Sequence, residues 1–218
     1  MTRLAGYPAS RRPPDVLPRT SRALRTTTHQ HLKEQQLRTT VFLFHPHLGV
    51  SVVNARLARA ARDVEGVTVR DMYGLYPDEH LDVAAEQEVL LGTDRIVWQF
   101  PMYWYSSPSL LKKWEDEVLA HGWAYGSTGT ALHGKELLVA VSPGADAASY
   151  TPEGKFHYSV TELLRPFQAT SNLIGTRFLT PFVTTGTNGM SPQTLEERAA
   201  AYAQELTAER PTLGLHEG

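Results

Sequence analysis

The chain contains no cysteine. That single absence excludes disulfides, thiolate metal sites, iron–sulfur clusters and a cysteine nucleophile. Long apolar runs are missing as well, and none approaches the roughly 20 residues needed to span a bilayer. No apolar core of the kind found in a secretory signal follows the early arginines. Charge of either sign is modest, with 21 basic and 23 acidic residues among 218 and a net charge of -2. Hydrophobic residues make up 41% and charged residues 20%, so wholesale disorder and collagen-like repeats are excluded. A chain of this length buries enough surface for a core that needs no covalent staples.

The charge is unevenly placed. Residues 1–40 carry eight basic side chains (Arg3, Arg11, Arg12, Arg19, Arg22, Arg25, Lys33, Arg38) against Asp15 and Glu34. Everything after them is acidic on balance, which argues against a nucleic-acid partner. Pro8, Pro13, Pro14 and Pro18 break any helix in that leading stretch, and apolar periodicity is weak. Arginine-rich, acid-poor composition also fits a transit or twin-arginine leader, but the apolar stretch that should follow Arg11-Arg12 is missing. Residues 1–39 are therefore expected to be a basic, disordered extension, residues 40–210 the folded domain, and residues 211–218 a C-terminal tail.

The body alternates strand and helix signals. Val41–Phe44, Val67–Arg70, Arg95–Phe100, Glu136–Val141 and Gly175–Leu179 read as five short strands. Between them lie helical patterns from Ser51, over 82–91, over Ser109–Leu119 and over Val160–Gln168, where Pro166 should kink the chain. A last helix is expected over Pro192–Glu209, capped by Ser191. Strands interleaved with helices imply an α/β fold with a parallel sheet and helices on both faces. Ligands of such sheets sit at the carboxyl ends of the strands.

Three strand ends carry informative residues. After the first comes His45-Pro46-His47-Leu48-Gly49-Val50-Ser51-Val52-Val53-Asn54, a loop running into a helix N-terminus, where backbone N–H groups suit a phosphate. A satisfied helix cap explains the same residues equally well. One glycine is too few for the dinucleotide fingerprint, and His45 and His47 have no third ligand at metal-binding spacing, so no metal is expected. Pro101-Met102-Tyr103-Trp104-Tyr105 follows the third strand, offering aromatic walls for a flat ring or a plug for the core. Ser142-Pro143-Gly144 follows the fourth, with Tyr150 and His157 downstream as proton donors. Their plainer reading is a buried tyrosine bonded to a carbonyl and an exposed histidine. Gly129–Lys135 has P-loop spacing, but Glu136 follows it and a strand comes after it, so no nucleotide triphosphate site is expected.

About three quarters of the chain resembles the flavodoxin-like NAD(P)H:quinone oxidoreductases, and within them the bacterial branch that includes the ancillary flavoproteins of glutathione-gated potassium-efflux systems. The resemblance rests on His45-Pro46 with Ser51 and Asn54, Leu75–Asp78, Ala84–Gln87, and Ile96–Ser106 with its Trp-Gln-x-Pro-Met-x-Trp-Tyr block. It continues through His121–Gly126, Thr130–Lys135, Leu164–Thr170 and Pro181-Phe182. It implies a flavodoxin-like fold, a five-stranded parallel sheet in the order 2-1-3-4-5, and a non-covalent flavin, FMN in that branch with FAD the alternative. It implies that His45, Ser51, Val53 and Asn54 hold the phosphate and its flanks. Pro101, Met102, Tyr103 and Trp104 would line the isoalloxazine, and Ser142, Pro143 and Gly144 its pyrimidine side. Tyr150 and His157 would be catalytic, stabilising charge on the reduced ring. The implied activity is two-electron, ping-pong hydride transfer from NAD(P)H to a quinone or similar small electrophile, by a cytoplasmic homodimer. Docking on a membrane antiporter as a regulatory subunit, peripheral to the inner membrane face, and nitro- or azo-reduction on the same flavin are the alternatives. The chain departs from many relatives in reading Val141-Ser142-Pro143-Gly144 where they have Thr-Thr-Gly-Gly.

Overall fold

A computed structural model describes residues 36–214. The leading extension, up to residue 35, lies outside the described residues. Within them the strands are β1 (Thr39–Leu43), β2 (Val67–Asp71), β3 (Arg95–Pro101), β4 (Glu136–Ser142), β5 (Arg177–Phe178) and β6 (Phe182–Val183). The helices are α1 (Val53–Arg62), α2 (Met72–Leu75), α3 (Val83–Leu91), α4 (Ser109–Val118), α5 (Val160–Leu163), α6 (Arg165–Leu173) and α7 (Pro192–Glu205). The sheet runs β2-β1-β3-β4-β5 and is parallel throughout, with β6 pairing on β4 beyond β5. The expected order is thus observed.

Alternation along the strands builds two cores. Phe42, Trp98, Val139 and Val141 face α4 and α6, where Trp114 meets Trp98 edge-on at 6.0 Å and Phe167 meets Trp98 at 6.0 Å. Val41, Val97, Leu138 and Ala140 face α1 and α7, packing against Leu57, Ala61, Leu195, Ala199 and Tyr202. A side-chain period of two forces this split, and it makes the central strands β1, β3 and β4 largely apolar on both sides. Among the described residues no helix is long and apolar enough to cross a membrane.

Four boundaries differ from expectation. The folded body begins before residue 40: Thr39 is buried in β1, and Arg38 makes a forked ion pair with Asp94, at 3.0 and 2.9 Å. The fifth strand is shortened to Arg177–Phe178, and an unexpected sixth, β6, follows Pro181. Gly175 turns the chain with φ 72°, and Pro181 brings no N–H to the ladder. Residues 211–214 are no free tail, because the Leu213 N–H donates to the Phe178 carbonyl (2.9 Å) and the Thr180 N–H to the Pro211 carbonyl (2.9 Å). Residues 215–218 lie outside the described residues. Lastly, the helix expected over Val160–Gln168 breaks at Leu164 into α5 and α6, with Pro166 in the first turn of α6 as its missing N–H requires.

Register places the functional loops on one edge. Leu43 pairs with Gln99, and Pro101 with Ser142, so His45, Met102 and Pro143 leave the sheet side by side.

Candidate functional site

The loop between β1 and α1 is short and shaped by its polar groups. Phe44 prolongs the ladder by donating its N–H to the Gln99 carbonyl at 2.9 Å, after which Pro46 ends the strand. Leu48–Val50 makes one 3-10 turn. Ser51 then caps α1, its Oγ accepting the Asn54 N–H at 3.2 Å. The remaining N–H groups of the first turn have no partner within the helix, which leaves positive potential at this end. His45 is buried, and its Nδ1 accepts the His47 N–H at 3.1 Å. The neutral ring therefore carries its proton on Nε2 and remains a donor. Burial, helped by neighbouring His47, holds this imidazole below the ordinary histidine range.

Asn54 ties this loop to the end of β4: its Nδ2 donates to Ser142 Oγ at 2.8 Å, with both residues buried. The Met102 N–H donates to the Ser142 carbonyl at 3.2 Å, carrying the β3–β4 pairing into the next loop. Tyr103 and Ser106 exchange two backbone hydrogen bonds, at 3.1 and 2.9 Å, around a tight turn. Trp104 and Tyr105 hold that turn with φ 48° and 62°, a region that bulky residues rarely adopt. Trp104 is 92% exposed, so its ring does not plug the core.

The loop after β4 is held against the one after β6. The Thr187 N–H and Oγ1 both donate to the Pro143 carbonyl, at 3.3 and 3.2 Å. A Cβ on Gly144 would come within 2.8 Å of Asn188 Nδ2, so glycine lets the Asn188 side chain lie against this loop.

Tyr150 is buried against Phe156 at 4.8 Å between ring centres, and Phe156 in turn meets Tyr105 at 5.4 Å. The Tyr150 hydroxyl has no hydrogen-bond partner among the described residues, unlike a structural tyrosine bonded to a carbonyl. Burial, with Tyr105 beside it, raises its pKa and keeps it a donor at neutral pH. His157 is exposed, has φ 60°, and its Nδ1 lies 3.0 Å from the Pro152 carbonyl. A carbonyl only accepts, so that nitrogen holds the neutral ring's proton. Nε2 of His157 then donates only when the ring is protonated.

A cavity of about 190 Å³ lies at this edge, lined by His45, Ser51, Val52, Val53, Asn54, Pro101, Ser142 and Thr187. Six of the expected residues meet there: His45, Ser51, Val53, Asn54, Pro101 and Ser142. Met102, Tyr103, Trp104, Pro143, Gly144, Tyr150 and His157 stand outside its lining, on the same strand ends. Thr187 was missed, although Gly186-Thr187-Asn188-Gly189 is the same kind of glycine-bearing loop after a strand. The lining offers an imidazole, hydroxyls, an amide and a helix N-terminus, with no carboxylate. That set fits a phosphate group such as a flavin's. Three larger clefts exist, about 360 Å³ against α4 and α6, about 500 Å³ at the amino ends of β1 and β2, and about 340 Å³ along β2 from Thr68 to Gly74. None of them lies where the loops after β1, β3 and β4 meet, the shared edge at which such sheets bind ligands. Among the described residues no group of three or more His, Asp or Glu is placed to hold a metal ion. Lys135, of the P-loop look-alike, donates to the carbonyls of Leu91 (3.1 Å) and Thr93 (2.5 Å) and closes the end of α3.

Residues 38–207 match the family described as having the flavodoxin-like fold. The chain belongs to that family. Relatives of this flavodoxin-like chain carry oxidoreductase names. It is 49% identical over 173 residues to an uncharacterised NAD(P)H oxidoreductase, YrkL, of Bacillus subtilis (strain 168), covering 79% of this chain and 99% of the relative. General stress protein 14 of Treponema denticola, solved in complex with FMN, is 40% identical with a TM-score of 0.71, over 78% of this chain and 95% of that one. An NADPH-quinone reductase from P. pentosaceus is 31% identical with a TM-score of 0.73, over 78% of this chain and 98% of that one.

Proposed function

We propose that the chain is an FMN-dependent NAD(P)H:quinone oxidoreductase working as a homodimer. The observation that carries this reading is the carboxylate-free cavity shared by the β1–α1 loop, Pro101 and Ser142. The FMN complex of one relative and the quinone-reductase name of another support it. When bound, the flavin supplies the redox chemistry, accepting hydride from NAD(P)H and passing two electrons to the quinone in a ping-pong cycle.

The chain's residues supply position and charge. His45 donates from Nε2 to the phosphate, joined by the Ser51 hydroxyl and the first-turn amides of α1. Because His45 is neutral, this grip does not depend on its protonation near neutral pH. Pro101 to Trp104 flank the ring, with the Trp104 indole as a wall that excludes water from one side. Backbone N–H groups around Ser142 to Gly144 and the Tyr150 hydroxyl would donate to a flavin's pyrimidine side and stabilise negative charge on it. His157 joins them when protonated. Exposed Trp104 and Leu173 (61%) offer apolar surface for the second copy.

Calorimetric titration of flavin-free protein tests the assignment. FMN should bind about 100-fold more tightly than riboflavin, which lacks the phosphate. Equal affinities would remove the phosphate from the cavity and the reading with it.

A further inference from the structure

Beneath the cavity lies a buried polar chain that runs along one face of the sheet, from α7 through β3 to α1 and β4. Tyr202, on α7, donates its hydroxyl to Gln99 Oε1 at 3.1 Å. Gln99, on β3, donates from Nε2 to the Asn54 backbone carbonyl at 3.0 Å and to Asn54 Oδ1 at 3.3 Å. Asn54 donates from Nδ2 to Ser142 Oγ at 2.8 Å, and Ser142 Oγ reaches the Phe100 carbonyl at 3.4 Å. Tyr202 and Gln99 are fully buried, and Asn54 and Ser142 are 3% and 5% exposed. Buried this deeply, a four-residue polar string is costly unless each group is satisfied.

The direction of every bond is set by one group. The Asn54 backbone carbonyl can only accept, so Gln99 must turn its NH₂ toward it and its oxygen toward Tyr202. Gln99 Nε2 then also faces Asn54 Oδ1, which sends Asn54 Nδ2 to Ser142. Ser142 Oγ accepts that proton and keeps its own to give. Its bond to the Phe100 carbonyl is long and therefore weak, so the hydroxyl is free to redirect toward a ligand in the cavity. Neither Tyr202 nor Gln99 touches the cavity, yet Gln99 relays the carbonyl's constraint to the cavity floor, and the Tyr202 hydroxyl holds the Gln99 oxygen away from Asn54.

We propose that Gln99 and Tyr202 are positioning residues that hold Asn54 and Ser142 in the donor orientation, making the cavity selective for an anionic flavin. The proposal rests on the assignment of that cavity to the flavin phosphate. Tyr202→Phe removes one hydroxyl and keeps the ring. Gln99→Glu keeps shape and reverses polarity: a carboxylate repels the Asn54 oxygens, turns the Asn54 NH₂ toward itself, and leaves Oδ1 to capture the Ser142 proton.

The test is the ratio of riboflavin to FMN dissociation constants, measured by calorimetry on the full chain, beside the melting temperature of the flavin-free protein. In Tyr202→Phe the ratio should fall about fivefold, one hydrogen bond's worth. In Gln99→Glu it should fall tenfold or more. A purely structural role would lower the melting temperature while weakening both flavins alike. An unchanged ratio in both variants overturns the proposal, as does failure of both to fold, which would make the string a support of the core. If the unaltered protein shows no preference for FMN, the parent assignment fails instead.

Discussion

His45 and His157 show how one backbone carbonyl or amide sets what an imidazole can do. His45 accepts from a backbone N–H and so keeps a proton for a ligand, whereas His157 faces a carbonyl and donates from Nε2 only as the cation. Tyr150 needs no such condition, since burial keeps its hydroxyl protonated. Tyr150→Phe should therefore slow bleaching of the flavin by NAD(P)H, by up to about 100-fold, while FMN affinity changes little. Stopped-flow absorbance reads this step apart from acceptor chemistry, and an unaltered rate would leave the backbone amides as the sole donors. Glu115, on α4 beside Lys112, Asp116 and Thr170, is a second test at this scale. Its pKa is raised to about 7, first by burial, against an ordinary value of 4.5. Between those values the folded chain binds more protons than the unfolded one, so stability falls as pH rises from about 4.5 to about 7 and is level outside that window. Glu115→Gln should remove the fall, a ceiling of roughly 3 kcal/mol, in denaturant titrations at pH 5 and pH 8.

Two motifs quoted from the sequence, Leu75–Asp78 and Ala84–Gln87, become one structural unit in the fold. Glu86 on α3 is fully buried and accepts from Arg70 of β2, from the Tyr76 hydroxyl at 2.6 Å and from Trp114 Nε1 of α4 at 3.1 Å. Burial, and then the bond to Glu86, push Tyr76 up to about 12. The unit clamps α3 and α4 to the sheet far from the cavity, so Glu86→Gln should cost roughly 3 kcal/mol of stability without changing the preference for FMN. Chemical denaturation measures the first, calorimetry the second. The turn at Trp104-Tyr105 makes the opposite trade. Trp104→Gly should relieve about 1 kcal/mol of left-handed strain and stabilise the flavin-free chain, yet weaken flavin binding by removing the wall. Legibility follows the same division. Strands and long helices were readable because burial imposes apolar runs and 3.6-residue spacing. The Glu86 unit was visible only as family motifs, because a carboxylate buried by partners from β2 and α4 leaves no local pattern. Thr187 was not legible because the two-residue strand before it, β6, leaves no apolar run, and the Tyr202–Gln99 string was hidden by distance, its members lying 103 positions apart.

At the scale of the whole molecule, a parallel sheet with the three loops at its carboxyl edge followed from the alternation of strands and helices, whereas the strand order followed from the family resemblance. The ends did not, because pairing of residues 211–214 along β5 involves backbone groups that carry no side-chain signal. Residues 36–38 belong to the body through Arg38 and Asp94, so a chain starting at residue 36 should keep the melting temperature and FMN affinity of the full protein. A start at residue 40 removes the ion pair and the buried Thr39, and should melt lower. The proposed chemistry needs only the sheet edge. That chemistry is tested most directly by anaerobic stopped-flow on FMN-loaded protein in two mixes. NAD(P)H should bleach the flavin absorbance fully with one equivalent consumed, and a quinone added to the reduced protein should restore it with one equivalent of hydroquinone formed. Failure of NAD(P)H to bleach bound FMN, or reduced flavin that persists in the presence of quinones, would contradict the account.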